Sequence, residues 1–255
     1  RHEQAEAAEE DADFHDRRVV RDEPSAPWPP RSAGDTTIDS GYSRTRMSPA
    51  GLQICQINRF DQGGGSEVVA WNLLHAYRER GHASHLVVGR KTSQDADVWL
   101  MPHERTANPW RRFWWRKHFQ WLERGQTDRR AWKRSRLAHR LAEPVSIATK
   151  WMGHEDFSYP GVWRMLDLFS RPPDILHAHN LHGGYFDLRA LPWLSRQVPF
   201  VVTPHDAWPL SGHCTHSLDC DRWKTGCGAC PDLSLPAPLL RDGTAYNWRR
   251  KQALF

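Results

Sequence analysis

Three consecutive glycines between a β-rich run and an amphipathic helix constrain the fold of this chain most. The run Leu52–Ile57 is followed by Gly63–Gly65, and Ser66–Tyr77 then repeats apolar residues at helical spacing before a helix-stopping glycine, Gly81. A second β-rich run, His85–Gly89, comes next. Strand, glycine loop, helix and strand form a βαβ unit, which predicts a parallel sheet in an α/β fold.

The helix and the glycine loop of this unit each carry an expectation. On the helix, Val69, Leu73 and Tyr77 share one face and are expected to pack on the sheet, with Ala70 and Leu74 beside them. The glycines let the backbone approach a ligand closely, and the amides of a helix N-terminus attract an anion. Their spacing fits neither the dinucleotide fingerprint nor the P-loop, and a plain tight turn is the alternative.

The same pattern recurs later in the chain. Asp174–His179 is a predicted strand, and Gly183 and Gly184 lead into a predicted helix from Tyr185 to about Arg196. Pro192 falls inside that helix and is expected to bend or split it. The next predicted strand is Pro199–Thr203. This second unit extends the parallel sheet.

Histidines gather where the strands of the second unit end. His177, His179 and His182 cluster around the end of one strand, and His205 and Asp206 follow the next. Ligands of open α/β sheets bind at that edge, where a histidine can bind a sugar hydroxyl or phosphate, or hold a proton near neutral pH. A single histidine there is more often a satisfied loop residue, but several at one edge predict a site.

A cysteine-rich loop is predicted at residues 213–231. The spacing of its last two cysteines, C-x-x-C, suits a metal knuckle, and four thiolates suit tetrahedral zinc. The alternatives are four reduced thiols or, in an oxidising compartment, two disulfides. The predicted zinc ligands are Cys214, Cys220, Cys227 and Cys230, and either His213 or His216 can replace a thiol.

Residues 109–142 combine aromatic and basic side chains. Five tryptophans are interleaved with eleven arginines and lysines, and the small number of helix breakers predicts helix. Such a segment suits an anionic membrane surface, where the tryptophans sit at the headgroup boundary. A solvated helix packed on the core is the alternative, and a nucleic-acid groove uses the same residue types.

Charge separates the start of the chain from the rest. Residues 1–46 hold eleven acidic residues and seven arginines, which gives them a net charge of −4. Because the whole chain has a net charge of +5, the remainder carries +9. Residues 1–50 are therefore expected to be a disordered leader, with Met47 as a candidate natural start. No apolar run of about 18 residues and no signal peptide is present in the sequence, so a cytoplasmic protein is expected.

Four segments resemble family 4 glycosyltransferases. The loop Gly63–Glu67 resembles their G-G-x-E loop, and Asp174–Asn180 resembles their D-[IV]-[IVL]-H-x-H strand end. Thr203–Cys214 is similar to the T-x-H-D-x-W-x-x-x-G-x-C segment of the colanic-acid-type subgroup, and Asp219–Pro231 continues that match. The resemblance covers about residues 52–232.

The resemblance implies a GT-B enzyme with two facing Rossmann-like domains. Residues 51–240 would be the N-terminal, acceptor-side domain, and residues 241–255 the start of the following segment. It further implies retaining transfer from a nucleotide sugar, without a catalytic metal, to a saccharide or lipid-linked saccharide acceptor in surface polysaccharide biosynthesis. The donor-binding Glu-x7-Glu segment would lie beyond Phe255, so the chain by itself is expected to be inactive.

The resemblance also assigns roles to residues of this sequence. Gly63, Gly64 and Gly65 would line the site near the donor phosphates, and His205, with Asp206, would lie by the transferred sugar. His179 and Asn180 would face the acceptor. Two other interpretations remain: a zinc-containing nucleic-acid-binding module, although no nucleic acid is expected for a transferase, and a non-catalytic pseudo-transferase.

Overall fold

A computed structural model of the protein describes residues 51–103, 107–125, 128–142 and 144–255. The predicted leader, residues 1–50, lies outside the described residues. A parallel sheet with the order β3-β2-β1-β4-β5 forms the centre of the fold, which confirms the predicted Rossmann-like α/β class. Its strands are β1 (Gln53–Phe60), β2 (Ala83–Arg90), β3 (Val98–Leu100), β4 (Ile175–Ala178) and β5 (Phe200–Val202).

Helices cover the sheet and extend from it. Short 3-10 helices lie at Pro160–Leu168, Leu188–Ala190 and Trp208–Leu210. Within the described ranges, no helix has both the length and the apolar character needed to cross a membrane. The α-helices are α1 (Gly65–Glu79), α2 (Pro109–Gly125), α3 (Arg129–Ala142), α4 (Pro144–Trp151), α5 (Leu191–Gln197), α6 (Arg222–Thr225) and α7 (Thr244–Gln252).

Two apolar clusters hold the sheet in place. The larger cluster includes Cys55 and Ile57 of β1 and Leu176 of β4, all fully buried. The smaller one lies under α1 and includes Leu74 and Leu86. Burying a leucine side chain stabilises a fold by about 1.5–3 kcal/mol, so these two clusters fix β1 at the centre of the molecule.

Helix α1 packs on the sheet with a different face from the one predicted. Ala70 and Leu74 are fully buried, whereas Val69 is 40% exposed and Tyr77 is partly exposed. The small side chain of Ala70 lets the helix backbone approach β1 so closely that Gln56 Nε2 donates a hydrogen bond to its carbonyl oxygen, 3.1 Å away. This contact rotates Val69 towards solvent, which apolar spacing alone did not indicate.

The predicted helix from Tyr185 to Arg196 starts later than expected. The carboxylate of Asp187 accepts a hydrogen bond from the Arg189 amide and caps a 3-10 turn, after which α5 begins at Leu191. Pro192 therefore lies in the first turn, where its missing N–H costs no helical hydrogen bond. The proline marks the start of the helix and does not bend its interior.

Residues 109–125 and 129–142 form the helices α2 and α3, as the small number of helix breakers predicted. Trp110 Nε1 donates to the Leu141 carbonyl, and His118 Nδ1 lies 3.0 Å from the Ser135 carbonyl, so the helices run antiparallel. Small buried residues of α3 sit at helical spacing along the contact, as Ala131, Ser135, Ala138 and Ala142.

Candidate functional site

The carboxyl ends of β1, β4 and β5 lie side by side in the sheet. β1 leads into the glycine loop, β4 into His179 and Asn180, and β5 towards His205 and Asp206. Strands β2 and β3 lie on one side of β1, and β4 and β5 lie on the other side. The carboxyl ends of β1 and β4 therefore form the topological switch point, where open α/β sheets bind ligands. The residues predicted from separate motifs therefore share one edge.

The glycine loop presents bare backbone at the start of α1. Gly63, Gly64 and Gly65 are exposed, and Gly63 has φ of 133°, a conformation that side-chain-bearing residues rarely adopt. Gly64 is the N-cap, and no side chain caps the helix there. A methyl group added at Gly65 would meet no atom within 4 Å. The first amides of α1 are thus open to an anion in front of the loop.

Side chains on both sides of the loop hold it in position. Asn180 Nδ2 donates to Ser66 Oγ at 3.2 Å, which joins the end of β4 to the first turn of α1. Asp61, fully buried, accepts the amide hydrogens of Thr92 and Ser93 at 2.8 and 2.7 Å. Burial alone would raise the pKa of Asp61, but these hydrogen bonds lower it, so the carboxylate is ionised. Asp61 belongs to none of the motifs recognised in the sequence.

A chain of hydrogen bonds runs from the core to His205. Gln56 Nε2 donates to the Ala70 carbonyl, so its Oε1 is left to accept from His179 Nε2, 3.0 Å away. His179 Nδ1 then carries the lone pair and accepts from His205 Nε2, also at 3.0 Å. In its neutral form, His205 therefore has its remaining lone pair on Nδ1.

His179 differs from expectation in its exposure. Its side chain is 1% exposed, so it lies behind His205 instead of facing an acceptor. Burial, with the charges of His177 and His205, lowers the pKa of His179 to about 3. The ring is neutral near pH 7, and in this geometry it orients His205. His177 lies alongside, with Nε2 2.8 Å from Thr203 Oγ1.

Asp206 is held by two partners. His182 Nε2 lies 2.7 Å from one carboxylate oxygen, and the Trp208 amide donates to the other at 3.0 Å. Burial acts to raise the pKa of Asp206, but the hydrogen bond and charge of His182 and the Trp208 amide lower it overall. The ionised carboxylate fixes the backbone directly after His205.

A buried ion pair supports this segment from below. Lys251 of α7 is fully buried, with Nζ 3.0 Å from the Trp208 carbonyl oxygen, 2.9 Å from Glu155 Oε2 and 4.0 Å from the Trp208 ring centroid. Trp208 Nε1 in turn donates to Glu155 Oε1. Burial lowers the pKa of Lys251, and Glu155 opposes that effect. No local motif pairs Lys251 with Glu155, so neither residue could be recognised from the sequence.

The four cysteines predicted as zinc ligands lie around one cavity, and no disulfide bond joins them. Cys214, Cys220, Cys227 and Cys230 are free thiols lining one small cavity with His213, whereas His216 does not line it. Among the described residues, no group of three or more His, Cys, Asp or Glu side chains is already arranged to hold a metal ion. The cysteine loop is joined to the site because the Ala207 amide donates to the Thr215 carbonyl at 2.7 Å.

Comparisons with known proteins agree with these motifs. The profile of Glycosyltransferase Family 4 matches residues 63–251. A relative from Escherichia coli (strain K12), "Putative colanic acid biosynthesis glycosyl transferase WcaC", is 32% identical over 90 residues, which cover 32% of this chain and 22% of that protein. The chain thus matches about a fifth of this relative's length. No solved structure matches the chain.

Proposed function

The chain belongs to Glycosyltransferase Family 4, and on that premise we propose that the edge formed by the glycine loop, His179 and His205 transfers a sugar from a nucleotide-sugar donor to a saccharide acceptor. The observation that carries this proposal is the hydrogen-bonded chain from Gln56 through His179 to His205. It presents a partly exposed imidazole, in one tautomer, at the sheet edge that also carries the glycine loop. The fixed orientation of the His205 ring has a functional effect only if another molecule contacts that ring.

The glycine loop is proposed to bind the donor phosphates. The exposed backbone of Gly63–Gly65 leaves room for a diphosphate in front of α1, whose N-terminus favours an anion by about 0.3–1 kcal/mol when exposed. Asn180 and Ser66 fix the distance between this loop and the end of β4. A donor whose diphosphate lies on the loop then brings its sugar towards His205.

His205 and Asp206 are proposed to act on the transferred sugar. The lone pair on His205 Nδ1 can accept a hydrogen bond from a sugar hydroxyl and so orient the ring for attack. Asp206 is oriented by His182 and the Trp208 amide and keeps His205 in place. The transfer is proposed to be retaining and to use no catalytic metal, as the family resemblance implies.

The acceptor is proposed to be a lipid-linked saccharide of polysaccharide biosynthesis. The relative named for colanic acid biosynthesis supports this class of pathway. As the family resemblance implies, we propose that transfer needs a second, donor-binding domain, and that the described part binds substrates without turnover. Groups from both sides of the donor would then stabilise the transition state.

Helices α2 and α3 are proposed to bring the enzyme to an anionic membrane surface. Trp110 and Phe113 of α2 are 58% and 43% exposed, and Leu137 of α3 is 56% exposed, among many basic residues. Exposed aromatic side chains beside arginines suit a headgroup boundary, and each basic residue there contributes about 1 kcal/mol.

Vesicle binding tests the membrane proposal. The full-length protein should sediment with phosphatidylglycerol vesicles at low salt and not with phosphatidylcholine vesicles. The Trp110→Ala, Phe113→Ala double variant should bind several-fold more weakly, whereas Trp163→Ala, which removes an exposed tryptophan outside these helices, should not. Binding to single-stranded DNA with no binding to vesicles would favour the nucleic-acid interpretation instead.

A transfer assay tests the proposed activity. Full-length protein is incubated with a panel of nucleotide sugars and lipid-linked saccharide acceptors, and the active pair is used to compare variants. His205→Ala should lower kcat by about 100-fold or more, the usual size of a lost catalytic side chain. His75→Ala serves as the control and should leave kcat unchanged, because His75 of α1 makes an edge-to-face contact with Trp71. Full turnover by His205→Ala would overturn the assigned role.

A further inference from the structure

Residues 214–242 form a long segment that has no buried residues and little regular structure. No residue in this segment is buried, and its regular structure is limited to the four-residue helix α6. A loop longer than about 12–15 residues without an apolar core is uncommon in a compact domain unless another bond orders it. Yet the segment closes tightly, since the Thr215 amide donates to the Pro236 carbonyl and the Cys230 amide to Asp242.

The four cysteines of this segment line one small cavity. Cys214, Cys220, Cys227 and Cys230 line a cavity of about 20 Å³, which is enough for one water-sized occupant. The same cavity is also lined by His213 and by Gly212, whose backbone lies beside Cys227. Four thiols around a single-atom space form the donor set and the volume of a tetrahedral zinc site.

Polar groups already surround two of the sulfurs. The Gly212 amide donates to Cys227 Sγ at 3.2 Å, and Cys230 Sγ lies 3.4 Å from Nε2 of His213. His213 is 1% exposed, and its Nδ1 is hydrogen-bonded to the Ala237 carbonyl at 2.9 Å. Because the Ala237 carbonyl can only accept, Nδ1 carries the hydrogen in neutral His213, and its Nε2 lone pair faces the Cys230 thiol as an acceptor.

The backbone around the last cysteine pair bends as a knuckle does. Gly226 and Gly228 have φ of 136° and 142°, and Ala229 has φ of 46°, a left-handed conformation that a residue with a side chain rarely adopts. These three residues flank Cys227 and precede Cys230. The bends turn both side chains of the C-x-x-C pair to the same side, towards the cavity.

We propose that this cavity is a structural zinc site in which thiolates of Cys214, Cys220, Cys227 and Cys230 hold one Zn²⁺ and His213 lies against the Cys230 sulfur. The sulfurs line the cavity without converging on one point, so binding requires side-chain rotation and closes the loop further. Each thiol releases its proton to solvent as it binds the metal, and no redox step occurs. The inference does not depend on the proposed transferase activity.

The position of the site suggests its effect. Ser211 Oγ donates to the Cys214 carbonyl, and the Ala207 amide donates to the Thr215 carbonyl, so the cysteine loop is bonded to the segment that carries Asp206. A side chain at Gly212 would clash with Thr244 of α7 and with Cys227. Zinc would therefore fix the loop between the sugar-transfer edge and α7, as a positioning element and not as a catalytic group.

Metal content of the full-length protein tests the proposal. After expression in zinc-supplemented medium and gel filtration, we expect about one zinc per chain by mass spectrometry of the metal. Cys227→Ser should lose at least most of that zinc. Cys55→Ala removes the buried thiol of β1, which does not line the cavity, and should keep it.

A measurement on the unaltered protein covers the case in which Cys227→Ser fails to fold. Zinc-edge X-ray absorption should show sulfur neighbours at about 2.3 Å. Mercurial titration should release the zinc as the cysteines react. Purified protein without zinc, or two disulfides found by alkylation of the unreduced, unfolded chain, would overturn the proposal. Zinc content is read without any activity, so a failed transfer assay would leave this result standing.

Discussion

His179 Nδ1 lies 3.0 Å from His205 Nε2, and this contact joins residues that follow two neighbouring strands, β4 and β5. Behind His179, Gln56 of β1 supplies the acceptor that fixes the tautomer of both rings. The buried ring of His179, held by Gln56 in the core, therefore fixes the orientation of the partly exposed ring of His205. Of the three hydrogen-bonded residues, Gln56 lies in β1, His179 follows β4 and His205 follows β5.

Acid should destabilise the fold through its buried histidines. Burial lowers the pKa of His179 to about 3 and the pKa of His103 and His139 to about 4, below the usual 6.5. The folded state thus favours neutral rings, and their contribution is complete above about pH 6.5 and is lost as pH falls towards the folded pKa values. Each ring can contribute a slope of up to about 1.4 kcal/mol per pH unit in that window.

Chemical denaturation between pH 7 and pH 4.5 measures this effect. The free energy of unfolding should fall steadily with pH in the wild-type protein, and His179→Gln should give a shallower fall. An unfolding free energy that is independent of pH over this range would show that these rings are not neutral in the folded state.

Gly65→Ala should weaken donor binding without destabilising the fold. The added methyl group meets no atom within 4 Å, and alanine suits the first turn of α1 better than glycine, so the free energy of unfolding should be unchanged or higher by up to about 1 kcal/mol. The same methyl group projects into the space proposed for the donor diphosphate. The KM for the nucleotide sugar should therefore rise about tenfold.

Gly63→Ala is the matched comparison for this loop. Its φ of 133° makes any side chain unfavourable, so both the stability and the KM should suffer. An unchanged KM in the Gly65→Ala enzyme would mean that the donor does not approach the glycine loop.

Lys251 should be among the residues whose loss destabilises the fold most. Lys251→Ala leaves Glu155 in a buried position without its cation and removes the donor to the Trp208 carbonyl. Breaking one side of a buried ion pair costs about 3–5 kcal/mol. Urea denaturation should show a loss of that order.

The Glu155→Gln, Lys251→Met double variant serves as the control for this pair. It removes both charges and should be less destabilised than Lys251→Ala, because no unpaired charge remains. Equal losses in the single and double variants would show that the pair contributes only through packing.

The sequence predicted the parts of the fold whose signals are local. The β1 and β2 runs, the glycine loop and the stop at Gly81 depend on neighbouring residues, and the structure confirms each of them. The motifs around His179 and His205 predicted the shared edge, because parallel strands that follow one another in a sheet bring their carboxyl ends together.

The parts that were not predicted depend on contacts between distant segments. Gln56 looks like an unremarkable strand residue until β4 places His179 beside it, and Lys251 looks like a surface lysine until α7 packs over Glu155. The core face of α1 was wrong for the same reason: apolar spacing favoured Val69, but the close approach of Ala70 to β1 decided the rotation.

A double-mutant cycle between Gln56 and His205 shows whether the chain of hydrogen bonds orients His205 for sugar transfer. Gln56→Met keeps the side-chain volume but removes the acceptor for His179, so kcat for sugar transfer by the full-length protein should fall about tenfold as the orientation of His205 is lost. In the His205→Ala background, Gln56→Met should cause no further fall, because the residue being oriented is gone. If Gln56→Met lowers kcat by the same factor in both backgrounds, His205 does not act through this chain of hydrogen bonds and the account is contradicted.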